Sequence, residues 1–160
     1  PSPDTRIDGW DACSGYYYAD STMNGFSQNH LSGTGCADFG DFLIMPTVGE
    51  QVCDPQDFTS QSLPFASGFS HKNEVAEPGY YSVLLDRYNV KAEITSTARA
   101  AIYRFTYPNA EDAGLILDVE YSVQHQTNRE MRVEAVSDTE IKAYKLSLYW
   151  ASDQQASFYA

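Results

Sequence analysis

The sequence predicts an all-β domain built as an antiparallel β-sandwich, and three observations carry that prediction. Among its 160 residues are 12 tyrosines and 8 phenylalanines, side chains that fill pleated faces. Several short segments alternate apolar and polar residues with the period of a half-buried strand. They are separated at close spacing by Asn, Asp and Pro, and no window carries a 3.6-residue apolar stripe.

Residues 1 to 40 read as loop-dominated, punctuated by glycine at 9, 15, 25, 33, 35 and 40. The apolar run Phe42-Leu43-Ile44-Met45, within residues 41 to 48, predicts a short buried strand. Between Gly49 and Phe69 a polar insertion bearing Pro55 and Pro64 predicts a surface loop. Tyr80 to Leu85 predicts the next strand, stopped by the turn signal Asp86-Arg87-Tyr88-Asn89. Val90, Ala92 and Ile94 alternate with Lys91, Glu93 and Thr95; Ala101, Tyr103, Phe105 and Tyr107 alternate with Ile102, Arg104 and Thr106. Both patterns are those of half-buried strands. Residues 109 to 113 allow a helical turn and no more, and Leu115 to Val119, Met131 to Val136 and Glu140 to Trp150 complete the set of strands.

The length suits one domain with a real core. A net charge of −12 without a Lys/Arg patch argues against nucleic acid or an anionic membrane surface as partner. No run approaches the 18 or so apolar residues of a membrane span, and no signal peptide is visible. The abrupt ends at Pro1 and Ala160 suggest a piece cut from something longer. Cys13, Cys36 and Cys53 form no Cys-x-x-Cys pair, which favours three separate buried thiols over one bridge with a spare.

The segment Gly9 to Gly35 packs Trp10, four further aromatics, His30 and five glycines into a polar stretch with little periodicity. Rigid loops of this makeup suit recognition of a polyhydroxylated ligand such as a sugar. The same composition fits a Gly/Ser-rich connection whose aromatics cap a sandwich edge. Trp10, an aromatic face between Gly9 and Asp11, is the sharpest contact candidate, unless it packs into the core. In the second dense cluster, His71 with Glu74 and Glu77 would bind a metal, position a hydroxyl or line a solvated loop, while Pro78-Gly79 predicts a type II turn. Asp38 with Asp41, and Asp54 with Asp57, have the look of the carboxylate pairs that glycosidic cleavage uses, and equally of surface charges. Ser14 and Ser32 near His30 lack the strained elbow of a nucleophile, and His125 predicts an exposed side chain.

Four ordered motifs carry a resemblance: residues 9 to 16 (Gly-Trp-Asp-Ala-Cys-Ser-Gly-Tyr), 25 to 35 (Gly-Phe-Ser-Gln-Asn-His-Leu-Ser-Gly-Thr-Gly), 38 to 47 (Asp-Phe-Gly-Asp-Phe-Leu-Ile-Met-Pro-Thr) and 69 to 83 (Phe-Ser-His-Lys-Asn-Glu through Pro-Gly-Tyr-Tyr-Ser-Val). Together with Trp150-Ala151-Ser152-Asp153-Gln154 they resemble the N-terminal domain of family 92 glycoside hydrolases, calcium-dependent exo-α-mannosidases of bacteria. The resemblance implies a sandwich of the galactose-mutarotase-like, or supersandwich, type, short of strands before Pro1 and after Ala160. It implies a mannose-containing glycan as ligand and a C-terminal (α/α) barrel domain as partner, with the sugar pocket where the two domains meet. In this family an acidic Glu and an Asp-activated water hydrolyse the linkage with inversion, and Ca²⁺ holds two mannose hydroxyls. Those groups belong to the barrel domain, so this chain is expected to be silent alone and to hold no Ca²⁺. Its expected share is one wall of the pocket, through Trp10, Asp11, Tyr16 and His30. Tyr17 stands where the family often has histidine, and Gln28-Asn29-His30 where it often has His-Thr-His. A secreted, periplasmic or cell-surface location is implied, and exposed sheet edges would allow self-association. The competing reading is a non-catalytic carbohydrate-binding module; a third is a domain that only braces its neighbour.

Overall fold

The computed structural model describes residues 1–30, 38–51 and 61–160. Its strands in chain order begin with β1 (Ser2–Asp4), β2 (Thr22–Met23), β3 (Gly25–Ser27), β4 (Leu43–Val48) and β5 (Ser67–Gly68). A meander follows: β6 (Glu74–Glu77), β7 (Tyr80–Leu85), β8 (Val90–Ser96) and β9 (Ala101–Thr106). β10 (Ala113–Asp118) then precedes β11 (Thr127–Ser137), β12 (Glu140–Leu148) and β13 (Gln154–Tyr159). Every pairing is antiparallel, as predicted.

Two four-stranded sheets, β1-β3-β4-β10 and β6-β7-β8-β9, make the sandwich. One apolar cluster joins them, with Phe26, Leu43 and Met45 from the first sheet against Val83, Leu85, Val90, Ala92 and Ile94 from the second. Phe26 meets Tyr81 edge-on across the interface at 6.4 Å, the geometry aromatic quadrupoles favour. The alternation along β8 and β9 is realised, with one exception. Glu93 falls on the outer register of β8 yet is buried beneath the Arg104 guanidinium, which donates to it from Nε and Nη2 at 2.7 Å each.

Residues 1 to 40 are loop-dominated as expected where described, with three short strands set among the loops. β1 contains Pro3 and pairs only with β3. An edge strand of that kind tolerates a residue without an N–H. Residues 74 to 77 also form a strand rather than a loop, and Pro78-Gly79 turns it directly into β7. Gly79 has φ +80°, the left-handed value that the second central residue of a type II turn requires. Residues 109 to 113 make one turn, in which the Asn109 side chain accepts the Glu111 N–H at 3.1 Å.

The third sheet, β11-β12-β13, is fastened to the sandwich largely by polar groups. β12 turns Ala143, Lys145 and Ser147 inward. Lys145 is fully buried: its Nζ pairs with Asp41 Oδ1 at 2.9 Å and donates to the Tyr121 carbonyl at 2.6 Å. Asp38 accepts the backbone N–H of Trp150 at 3.0 Å and the Gln154 side-chain amide at 2.8 Å. Phe42 packs on Phe158 at 5.7 Å and supplies the apolar part of the seam. Asp38 and Asp41 are therefore engaged structural carboxylates and not an open catalytic pair. Asp54 and Asp57 lie outside the described residues.

Candidate functional site

Local polar bonds shape the first loop. Arg6 grips Asp20 through Nε at 3.0 Å and Nη2 at 2.7 Å, which holds the Asp20 carboxyl below its usual range. The same guanidinium lies 4.0 Å from the Tyr17 ring centre. Thr5 Oγ1 donates to Asp20 and accepts the Tyr17 N–H at 2.8 Å, tying β1 to the far side of the loop. Tyr16, Tyr17 and Tyr18 are thus held on a braced turn.

Facing this turn, Ser70 caps a short 3₁₀ turn, His71–Asn73, whose end runs into β6. Between the two lies an open cleft of about 610 Å³, lined by Tyr16, Tyr18, His71, Glu74, Tyr80 and Tyr81 among others. At its base Glu74 is nearly buried and accepts from three side chains. Tyr16 Oη donates at 3.0 Å, Tyr81 Oη at 2.6 Å, and His71 Nδ1 lies at 2.5 Å. Burial, reinforced by the Glu74 charge, pushes both phenols well above the ordinary tyrosine range, so they stay neutral donors.

His71 has acceptors on both sides, Glu74 at Nδ1 and the Tyr18 carbonyl oxygen at Nε2, 2.7 Å away. A carboxylate on one side and a carbonyl on the other favour hydrogen on both ring nitrogens, which is the imidazolium form. The hydrogen bond to Glu74 raises the His71 pKa accordingly. Tyr18 lies flat on this ring, with centroids 4.2 Å apart and planes 12° apart, while Phe69 meets it edge-on. A carboxylate with three donors is poorly suited to act as a general base. Glu74 instead organises one histidine and two tyrosines around the cleft.

The residues expected to touch a ligand are distributed unevenly. Trp10 is 73% exposed on a 3₁₀ turn, Trp10–Ser14. Asp11 beside it is exposed and stands 3.6 Å from Arg6. Tyr16 lines the cleft. His30 turns inward, its imidazole 5% exposed and its Nε2 2.9 Å from the buried Asp4 carboxylate and bonded to Ser27. Cys13 is buried and its Sγ donates to the Trp10 carbonyl, whereas Cys36, Cys53 and Ser32 lie outside the described residues. His125 is exposed. Sequence reasoning left His71 and Glu74 open and passed over Tyr18 and Tyr81. The available signal was a His-x-x-Glu spacing followed by paired tyrosines. Among the described residues, no three His, Cys, Asp or Glu side chains converge as a metal site would require.

The profile of the glycosyl hydrolase family 92 N-terminal domain matches residues 1–160. The chain belongs to this family. A family GH92 α-mannosidase from Bacteroides thetaiotaomicron, solved alone and in complex with mannoimidazole, shares its fold with a TM-score of 0.88. The two are 39% identical over 99% of this chain and 21% of the mannosidase. A GH92 family glycosyl hydrolase of known structure matches with a TM-score of 0.69 and 25% identity, over 99% of this chain and 22% of that one. An uncharacterized secreted glycosidase from Arthroderma benhamiae is 32% identical over 114 residues, which are 68% of this chain and 14% of that protein. The family 92 N-terminal domain thus spans about a fifth of the solved mannosidase chain. Among the described residues, no helix is long and apolar enough to cross a membrane.

Proposed function

We propose that this chain serves as the N-terminal β-domain of a secreted α-mannosidase and forms one wall of its sugar pocket. The observation that carries the proposal is the 39% identity and TM-score of 0.88, over 99% of the chain, to an α-mannosidase solved with mannoimidazole. The reaction is hydrolysis of terminal α-mannosides from a glycan, with inversion. The general acid, the base and the Ca²⁺ site are assigned to a C-terminal catalytic domain of the same polypeptide. Asp38, Asp41 and Glu74 of this chain are engaged by protein donors. Its contribution is recognition: Trp10 supplies an exposed apolar face, Asp11 a nearby acceptor, and Tyr16 one side of an aromatic cleft.

The test is expression of the parent polypeptide beside the isolated 160-residue chain, with α-mannobiose as substrate. The parent releases mannose with inverted anomeric configuration and loses activity to a calcium chelator, and the isolated chain releases none. A parent without mannosidase activity, or tight mannoside binding by the chain alone, would favour a carbohydrate-binding module instead.

A further inference from the structure

We infer that the outer face of Tyr18 is a stacking subsite for a pyranose ring, presented by a charged clip of His71 and Glu74. The inference rests on the reading of the chain as a glycan-contacting domain and deepens it. Tyr18 is 70% exposed although its inner face is covered by the His71 ring. One face of the aromatic ring is therefore pinned and the other is open. A sugar presents axial C–H groups to such a face while its hydroxyls seek polar neighbours. The cleft lining supplies the Glu77 carboxylate and the Tyr80 hydroxyl oxygen, whose own hydrogen is donated to Glu93 at 2.7 Å.

What distinguishes Tyr18 from a chance exposed tyrosine is how it is held. The His71 Nε2–H bonds its carbonyl, the imidazolium stacks on its ring, and Glu74 fixes the imidazolium from behind. Glu74 is fixed in turn by the phenols of Tyr16 and Tyr81. The ring is thus ordered before any ligand arrives, which lowers the entropy cost of binding. The titratable groups facing His71 are Glu74 on β6, with Tyr16 and Tyr81 behind its carboxylate, and Tyr18 on the first loop; Phe69 is the remaining ring neighbour. Loss of the His71 proton sets a lone pair against one of two acceptors and releases the clip. Because the His71 pKa is raised above 6.5, the clip is intact at and below that pH and loosens as pH climbs through the raised value.

The experiment uses the full-length parent protein labelled with meta-fluorotyrosine, with the Tyr18 fluorine resonance assigned by Tyr18→Phe. Methyl α-mannopyranoside and methyl α-glucopyranoside are titrated separately, and hydrolysis of α-mannobiose is measured in parallel. A saturable shift of the Tyr18 resonance is expected. Tyr18→Ala should raise KM for an oligomannoside about tenfold with kcat little changed, and Tyr18→Trp should restore it. In the wild type KM should rise at alkaline pH, and His71→Gln should remove that rise. An unmoved Tyr18 resonance at the solubility limit of both sugars overturns the subsite, even if mannosides are hydrolysed. A shift with a glucoside and no mannoside hydrolysis keeps the subsite and removes the mannosidase reading.

Discussion

Replacing Lys145 by Met leaves the buried Asp41 carboxylate without its counter-charge. Lys145 and Asp41 are 0% and 1% exposed at the side chain, so water cannot take over the role. Asp41 keeps only the Asn29 amide, at 3.1 Å, and the Tyr121 carbonyl loses its 2.6 Å donor. Breaking one side of a buried pair in this way costs about 3–5 kcal/mol. With a urea dependence of about 2 kcal/mol per molar, the unfolding midpoint should fall by about 2 M. Circular dichroism during urea unfolding of the chain measures this directly. The double variant Asp41→Leu, Lys145→Met leaves no buried charge and should recover most of the loss. A single variant that costs less than about 1 kcal/mol, or a double variant no better than the single, would refute the view that this ion pair fastens the outer sheet.

Two further outcomes follow from the geometry. Gly15 has φ +73°, and a Cβ there would lie 2.1 Å from Asp4 Oδ1 and 2.8 Å from His30 Cε1; Gly15→Ala should cost at least about 2 kcal/mol, and a melting temperature like that of the wild type would contradict it. Glu93 is held at about 2 chiefly by its hydrogen bonds from Arg104, against an ordinary value of 4.5. A depressed carboxyl stabilises the fold above its unfolded value and loses that contribution as pH falls, so Glu93→Gln should flatten the acid limb of stability between pH 4.5 and 2. An unchanged acid limb in that variant would reassign the effect to other carboxylates.

The sandwich was largely legible because β8 and β9 alternate cleanly and their turns carry Asn, Asp and Pro. The early strands were not, since β1, β2 and β3 span only two or three residues each and rely on partners far along the chain. Periodicity does not reveal the buried face of the outer sheet. β12 buries Ala143, Lys145 and Ser147, a face that alternation alone marks as the polar one. The cleft was half visible: the His71 to Glu74 spacing is local, but Tyr16 lies 58 positions from Glu74 and Tyr18 lies 53 from His71. Pairings at that separation leave no mark on composition or period. Asp38 and Asp41 show the opposite hazard, a suggestive spacing used for assembly rather than chemistry.

The fastening of the outer sheet has a mechanical consequence. Apolar surfaces slide over one another at small cost, whereas an ammonium seated between a carboxylate and a carbonyl accepts one orientation only. The Asp41–Lys145 contact, with Asp38 gripping the following turn, therefore behaves as a key in a slot. Being dry, it should be insensitive to ionic strength, unlike the exposed Arg129–Asp153 pair at 3.5 Å. The three strands beyond Gln126 are thereby indexed to the sandwich at a set angle in fresh water and brine alike.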